Sequence, residues 1–366
     1  MIKAKRDELL APLSAVSGII ERRHTLPILS NVLIDGSADS ISFLATDIEI
    51  QISARSAIGA GKDAKSLTVG ARKLLDILRA LPEDVEVSLQ PQDKRLLVRA
   101  GKSRFNLQTL PAEDFPRLAK ATGEAIKFTL SQKTLRRLLG LVQYAMAQQD
   151  IRYYLNGLLM VVDGGELKLV ATDGHRLAFA SMPVQAGTAR QEAIIPRKTV
   201  VELTKLLADS DEEVKIELSA AQAGFSFGTI QVVSKLIDGK FPDYTRVIPS
   251  SYQKRFSIDR MQLLQSLQRA AILANEKFRG VRWLVSASSL RISCTNNEQE
   301  EAQEELEISY PGDAVDIGFN ITYLLDVLTN VHSEQVECAL GDANSSMLMT
   351  LPEQRDFRYV VMPMRI

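Results

Sequence analysis

The sequence predicts an α+β protein in which one domain fold, two helices packed on antiparallel sheets, occurs three times. The clearest copy lies mid-chain, where two alternating apolar runs, residues 157–162 and 167–171, are joined by Asp163-Gly164-Gly165. Asp and Gly favour the backbone of a tight two-residue turn, so this stretch predicts a β-hairpin. The chain of 366 residues is long enough for two or three domains at roughly 150 residues each.

The same hairpin pattern occurs in the other two thirds. Residues 26–46 and 280–296 repeat the order of apolar run, polar turn, apolar run and a final Thr-Asp or Thr-Asn. If Thr46, Thr172 and Thr295 are equivalent, the copies are 126 and 123 residues apart. Pro-rich turns close the first two copies. We therefore expect domains at residues 1–122, 123–249 and 250–366.

Each third also opens with a short strand and an amphipathic helix. Asp7, Ser131 and Asp259 are the expected helix N-caps. The expected buried stripes are Leu9, Leu13, Val16 and Ile20; Leu135, Leu138, Leu139, Val142 and Met146; and Leu263, Leu264, Leu267 and Ala271. Further strands are expected over residues 85–89, 96–107, 214–218, 225–235, 336–340, 347–350 and 357–362.

The opposite faces of these helices carry few acids. They present Arg136, Gly140, Gln143 and Ala147 in the central third, and Gln262, Gln265 and Arg269 in the last. A second helix in the first and central thirds begins with an Arg-Lys pair, Arg72-Lys73 and Arg197-Lys198. The helix dipole disfavours cations there, so phosphate is a natural partner. On charge alone we add Arg136, Arg137, Arg197, Lys198 and Lys205 as candidate contacts to the phosphates of a polyanion.

Composition excludes several classes of protein. The formal net charge is -1 and 45% of residues are hydrophobic, so any basic surface must be local. Cys294 and Cys338 are the only cysteines and are expected as buried, reduced thiols. No stretch has the roughly 18 consecutive apolar residues of a membrane span, and we expect a cytoplasmic protein.

Signals of catalysis are weak. His24, His175 and His332 lie in three different thirds, so neither a metal site nor any other cofactor is expected. Gly101-Lys102-Ser103 resembles the end of a phosphate loop but lacks the leading glycine. Asp173 and His175 have no accompanying nucleophile motif. The sequence predicts no catalytic residues.

Binding signals are stronger. The loop at residues 148–154 combines amides, an Arg and the adjacent Tyr153 and Tyr154. Two interpretations stay open here: one core and one surface tyrosine of a strand, or an exposed pair that stacks or contacts phosphate.

A second signal is charge complementarity between the first and last thirds. Lys102 and Arg104 flank apolar Phe105 on what resembles an open sheet edge, and an acidic run occupies residues 298–305. If the two edges pair between copies, the contact is heterologous, and two chains can close a ring of six domains.

Several segments of the sequence are similar to those of a known protein family. The chain resembles the bacterial DNA polymerase III β subunit, the replicative sliding clamp, over essentially its whole length. The most specific segments are RYYLNGLL from Arg152, ATDGHRLA from Ala171, SKLIDGKFPDY from Ser234, NEKFRGVR from Asn275 and the terminal YVVMPMRI.

The resemblance implies a head-to-tail dimeric ring whose helices line a channel for duplex DNA, and which binds the clamp loader and polymerases through short linear motifs. Family DNA contacts correspond to Arg23, Arg72, Gln149, Tyr153 and Tyr154. The dimer interface corresponds to Phe105 and Leu107 against Ile272 and Leu273, rimmed by Lys73, Lys102 and Arg104 facing Glu298, Glu301 and Glu304. The partner-peptide cleft corresponds to Leu155, Thr172, Gly174, His175, Arg176, Leu177, Pro242, Arg246, Val247, Ser346, Val360, Met362, Pro363 and Met364.

One position departs from the family pattern. Asn344 stands where an aliphatic residue is common, which affects one wall of the expected cleft. Two alternative functions remain: a DNA-modifying or nucleotide-binding enzyme, which would need a metal or phosphate site, and a peptide-binding scaffold indifferent to DNA.

Overall fold

A computed structural model describes residues 1–21, 26–37, 39–59, 66–119, 123–186, 190–250, 252 and 254–366. These residues form two compact units. The first unit comprises Met1–Arg136 and Lys198–Leu236, and the second comprises Arg137–Arg197 and Ile237–Ile366.

The order of elements repeats three times: one strand, one helix, four strands, one helix and three strands. The first third contains β1 (Ile2–Lys5), α1 (Arg6–Ser17), β2 (Asn31–Gly36), β3 (Ile41–Thr46), β4 (Ile50–Ser56), β5 (Leu67–Gly70), α2 (Ala71–Ala80), β6 (Glu86–Gln92), β7 (Arg95–Ala100) and β8 (Ser103–Leu110). The central third contains β9 (Ile126–Ser131), α3 (Gln132–Val142), β10 (Gly157–Asp163), β11 (Glu166–Thr172), β12 (Arg176–Pro183), β13 (Gln191–Pro196), α4 (Arg197–Leu206), β14 (Glu213–Leu218), β15 (Gln222–Phe227) and β16 (Ile230–Lys235). The last third contains β17 (Lys254–Asp259), α5 (Arg260–Ala270), β18 (Gly280–Val285), β19 (Ser289–Thr295), β20 (Glu301–Glu307), β21 (Val315–Asn320), α6 (Ile321–Asn330), β22 (Gln335–Leu340), β23 (Met347–Leu351) and β24 (Gln354–Val361). The predicted three-fold α+β repeat is confirmed.

The strands form three sheets whose pairings are antiparallel. The first unit has one twelve-stranded sheet, in the order β1-β6-β7-β8-β5-β2-β3-β4-β16-β15-β14-β9. The second unit has an eight-stranded sheet, β13-β10-β11-β12-β24-β23-β22-β17, and a four-stranded sheet, β20-β19-β18-β21. The β4–β16 and β12–β24 pairs join strands from consecutive thirds, so the sheets continue across the predicted boundaries.

The three predicted hairpins are present as β2–β3, β10–β11 and β18–β19. In the central copy, Asp163 pairs with Glu166 across a two-residue turn. Gly164 and Gly165 have φ values of 58° and 80°, which a side chain would make costly.

Two predicted strands are instead hairpins. Residues 96–107 divide between β7 and β8 at Gly101 (φ 54°), and residues 225–235 divide between β15 and β16 at Gly228 (φ 50°). Glycine supplies the left-handed turn that a continuous strand would not allow. Lys102 was predicted to lie within a strand, but it lies in the turn between β7 and β8.

Helix caps follow the sequence in two of three cases. The Ser131 hydroxyl accepts a hydrogen bond from the Thr134 N–H at 3.3 Å, and the Asp259 carboxylate accepts one from Gln262 at 2.8 Å. The prediction for Asp7 is wrong, because α1 begins at Arg6 and its N-cap is Lys5, whose N–H donates to the Glu8 carboxylate at 2.8 Å.

The buried stripes are present in all three opening helices; for example, Leu9, Leu135 and Leu263 are fully buried. Ala271 is an exception, because it is half-buried in the 3₁₀ turn that follows α5. Ala147 is an exception on the opposite face. It is buried and lies beyond the end of α3, so it does not belong to the exposed helix surface.

Cys294 and Cys338 are buried free thiols, and burial raises the pKa of Cys294 to about 11. Among the described helices, none combines the length and apolar character needed to cross a membrane.

Candidate functional site

A cavity of about 240 Å³ lies in the second unit. It brings together ten of the fourteen predicted cleft residues: Leu155, Thr172, Gly174, His175, Arg176, Leu177, Pro242, Val247, Val360 and Met362. Arg246, Ser346, Pro363 and Met364 are not among its lining residues. Four lining residues were not predicted for the cleft: Arg152, Phe241, Tyr244 and Tyr154, the last of which was predicted as a DNA contact. Exposed Asn344 is likewise absent from the lining.

The cavity floor is part of the hydrophobic core. Leu155, Leu177, Val360 and Phe241 are each at most 7% exposed and belong to one buried cluster. Well-packed core side chains have little freedom to move, so these residues form a fixed floor. Val247 and Met362 are 46% and 48% exposed and form an adaptable rim. Such a cavity suits an apolar anchor residue of a bound chain.

The loop between β11 and β12 forms one wall and is held by its own side chains. The Asp173 carboxylate accepts hydrogen bonds from the backbone N–H groups of His175 at 2.9 Å and Arg176 at 3.0 Å. The Thr172 hydroxyl donates to the Arg176 carbonyl at 2.6 Å and accepts from the Gly174 N–H at 3.1 Å. This compact turn makes the cavity wall rigid.

Arg176 supports this wall from beneath. Its guanidinium donates to Asp173 at 3.1 Å, to Asp326 in α6 at 2.6 Å and to the Tyr144 carbonyl at 2.6 Å. It also lies over the Tyr323 ring, 4.4 Å from the centroid. Because three of its five donors are used within the chain, Arg176 positions the loop more than it offers charge to a ligand.

The loop preceding β10 is similarly fixed. Arg152 forms a two-point ion pair with Asp150, at 3.0 and 2.9 Å, and donates to the Asp173 carbonyl at 3.1 Å. Hydrogen bonds from the Arg152 side chain and backbone lower the pKa of Asp150 to about 2. Asn156 donates to and accepts from the Asp150 backbone at 2.9 Å, and Gln149 has a φ of 56°.

Tyr153 and Tyr154 lie in a short 3₁₀ turn, Tyr153–Leu155, and not in a strand. Tyr153 is 57% exposed, whereas Tyr154 is half-buried, lines the cavity and packs on the buried cluster. Their rings meet edge to face with centroids 5.8 Å apart. The pair therefore divides into one outward and one cavity-lining tyrosine. Ile151, beside them, is 95% exposed, and sequence reasoning did not single it out.

The predicted DNA contacts fall in both units. Arg72, Arg136 and Arg137 are exposed, and the Arg72 guanidinium donates to the Ile20 carbonyl at 3.3 Å. Arg197 is half-buried and donates to the Met146 carbonyl at 3.1 Å. Arg23 lies outside the described residues.

The two predicted lysines are already paired. The Lys198 ammonium contacts Glu21 at 2.9 Å and Asp47 at 2.5 Å, and Lys205 contacts Glu202 at 2.8 Å. Burial works against the charge of Lys198, but hydrogen bonds to Asp47 and Glu21 outweigh it and raise the pKa of the ammonium. Charge counting along the sequence could not detect these partners.

Each of the two strands predicted to join two copies is open on one side over most or all of its length. Within the described chain, residues 103–108 of β8 pair with β7 alone, because β5 pairs with β8 only at Thr109 and Leu110. Phe105 and Leu107 are half-buried on this edge. Lys73, Lys102 and Arg104 are exposed.

The second edge is β20, whose partner in the four-stranded sheet is β19. Glu298 and Glu301 are exposed, and Ile272 is 77% exposed beside half-buried Leu273. Glu304 is different, because it is paired with Arg269 at 2.9 and 2.5 Å. Hydrogen bonds from Arg269 lower the pKa of Glu304.

No group of three or more His, Cys, Asp or Glu side chains among the described residues has the arrangement of a metal site.

The unpredicted cavity residue Phe241 did have a signal in the sequence. Phe115-Pro116 and Phe241-Pro242 end the two similar loops of the first and central thirds.

Comparison with known proteins gives consistent matches along the whole chain. Models of the DNA polymerase III β subunit match in three consecutive parts: the N-terminal domain at residues 1–119, the central domain at 129–243 and the C-terminal domain at 245–365. The chain is 47% identical over 363 residues to the β sliding clamp of Pseudomonas aeruginosa and 45% identical over 362 residues to that of Escherichia coli K12. Both alignments cover 99% of each protein.

Solved structures agree. The crystal structure of the DNA polymerase III subunit β from Pseudomonas aeruginosa matches with a TM-score of 0.96 and 46% identity, covering 100% of both chains. A sliding clamp from the same organism bound to griselimycin matches with a TM-score of 0.95 and 46% identity, covering 100% of this chain and 99% of the other.

Proposed function

The chain belongs to the family of bacterial DNA polymerase III β subunits, the DNA sliding clamps, which are processivity factors and not enzymes; from that premise we propose how it closes around DNA and holds its partners. Two copies join head to tail into a ring of six domains, with boundaries near residues 122 and 249. The β8 edge of one copy pairs with the β20 edge of the other. This ring acts in the cytoplasm, where the chromosome is copied.

The observation that carries this proposal is the pair of open strand edges with opposite charge. Arg104 and Lys102 are exposed at the first edge, and Glu301 and Glu298 at the second. An open edge exposes unused backbone donors and acceptors and normally must be covered or paired. Opposite charges fix the partner and the register, while Ile272 and Leu273 cover Phe105 and Leu107.

Duplex DNA passes through the ring without base-specific contacts. Arg72, Arg136, Arg137 and Arg197 are the cationic contacts, and Gln149, Tyr153 and Tyr154 provide polar and aromatic ones. Phosphate contacts do not depend on sequence, so the ring can slide. Lys198 and Lys205 contribute less, because carboxylates of the same chain already neutralise them.

The cavity beside Leu177 and Val360 receives short linear motifs from the clamp loader and from replicative and repair polymerases. Its apolar floor takes one or two anchor side chains, and Arg246, Ser346, Pro363 and Met364 extend the contact beyond the cavity. Tethering raises the effective concentration of a polymerase at the primer end, even when each single contact is weak.

The test is topological. The protein is loaded on nicked circular DNA, the DNA is linearised, and the fraction that stays bound is measured by gel filtration. A sliding ring leaves through the free ends, whereas the same linear DNA with protein-blocked ends retains it. Retention on linear DNA with free ends would overturn the proposal, as would a strictly monomeric mass in light scattering at micromolar concentration.

A further inference from the structure

The last five residues of the chain begin at Met362, which lines the cavity, and continue in contact with β21. The Met362 N–H donates to the His175 carbonyl at 2.9 Å, and the Met364 N–H donates to the Gly318 carbonyl at 2.8 Å. Pro363, between them, has no N–H to donate. The segment is therefore anchored at two backbone points, one on the cavity loop and one on β21.

Two glycines lie under this segment, and they differ in how much space they have. A methyl group at Gly318 would lie 2.5 Å from the Met364 carbonyl oxygen and 2.6 Å from the Ile366 side chain. A methyl group at Gly280 would lie 3.5 to 3.9 Å from the same Ile366 side chain, which is ordinary contact. Neither glycine has a positive φ, so the backbone conformation of both positions tolerates alanine.

The clash at Gly318 cannot be relieved by a side-chain rotation alone. The Ile366 side chain is 72% exposed and can turn away. The Met364 carbonyl belongs to the backbone and can retreat only if the whole segment moves. Such a movement breaks the hydrogen bond at Gly318 and displaces Met362, which lines the cavity.

We propose that Gly318 is a positioning residue for the partner cleft: its lack of a side chain seats residues 362–366 on β21 and so sets the place of Met362 at the cavity rim. Gly318 itself is not among the residues lining the cavity. The inference rests on the proposed function of that cavity as the site for partner motifs. The set of residues that determine the cleft then includes one from β21, a strand that contributes no residue to the cavity lining.

The experiment compares Gly318→Ala with Gly280→Ala, two matched substitutions in strands of one four-stranded sheet. The probe is a fluorescently labelled synthetic peptide carrying the clamp-binding motif of the replicative polymerase, and affinity is measured by anisotropy. We expect Gly318→Ala to weaken binding by about tenfold or more, since a displaced Met362 loses its apolar contacts with the peptide. Gly280→Ala should stay within about twofold of the parent protein.

A second measurement separates a displaced segment from a general folding defect. With methyl-labelled methionine, Gly318→Ala should shift the NMR signals of Met362 and Met364 and leave those of buried Met146 and Met160 in place. Unchanged Met362 and Met364 signals, or equal peptide affinity in the two alanine variants, would overturn the positioning role. Failure of the parent protein to bind the peptide would instead overturn the proposed function of the cavity.

Discussion

Arg176 in β12 and Asp326 in α6 are joined by a hydrogen-bonded ion pair, Nη1 to Oδ2 at 2.6 Å. The Arg176 side chain is 9% exposed and that of Asp326 is 35% exposed. The two residues are 150 positions apart in the chain. The wall of the cavity is thus held in part by Asp326, a residue of the last third, through the Arg176 guanidinium.

Asp326→Asn should destabilise the second unit. The buried guanidinium keeps Asp173 and the Tyr144 carbonyl as partners, so we expect a loss of about 1 to 3 kcal/mol in unfolding free energy. Urea unfolding can be followed through Trp283, the only tryptophan, which is fully buried in β18. Asp316→Asn is the matched control, because its ion pair with Arg282 is exposed and should be worth less than about 1 kcal/mol. Equal losses in the two variants would contradict this account.

Arg72 and Lys198 should differ as DNA contacts, although both lie in the first turn of a helix. Arg72→Gln is expected to lower DNA affinity and to reduce the slope of log affinity against log salt by about one, because its charge is available for phosphate. Lys198→Met is expected to leave the slope nearly unchanged and to lower stability, because it removes the partner of Asp47 and Glu21. Titration of duplex DNA at several salt concentrations decides, and an equal change of slope would sink the distinction.

The proposed interface predicts a charge-swap rescue. Glu301→Lys in β20 should weaken dimerisation by about tenfold, since it places like charge opposite the basic edge. Adding Arg104→Glu should recover part of that loss, because the swapped charges attract again. Glu307→Lys, at an exposed position of the same strand, should have little effect. Sedimentation equilibrium measures all of these variants; no rescue in the double variant would argue against this pairing of edges.

More of the fold than of the functional site could be predicted from the sequence. Hairpins were readable because a turn such as Asp163-Gly164-Gly165 is a local signal with a local cause. Helix starts were readable where Ser131 and Asp259 cap, but not at Asp7, because Glu8 bonds the preceding backbone instead. The division of residues 96–107 into two strands was not predicted, because a single glycine such as Gly101 does not distinguish a hairpin turn from a position within a continuous strand.

The site depends on contacts that no local pattern contains. The partners of Lys198 are 177 and 151 positions away, so its neutralisation could not be foreseen. The family resemblance predicted ten residues of the cavity lining but not Phe241 and Tyr244. These two residues lie in the segment after β16, and the path of that segment brings them to the cavity. Gly318 was equally invisible, because its importance comes from the space beneath Met364.

The Asp150–Arg152 pair gives a pH prediction for the loop beside the cleft. The pKa of Asp150 is lowered to about 2, against roughly 3.9 for a free aspartate. A lowered folded-state pKa contributes stability above the unfolded pKa, and that contribution is lost as pH falls from about 4 towards about 2. Carbon-detected NMR should therefore show Asp150 still ionised between about pH 6 and about pH 3. In Arg152→Met the backbone N–H of residue 152 still donates to Asp150, so the midpoint should rise only part of the way towards about 4. Asp342, whose pKa is lowered by hydrogen bonds from Ser345 and Asn344, should keep its own titration. A midpoint for Asp150 that stays near 2 in Arg152→Met would show that the arginine side chain is not what lowers the pKa of Asp150.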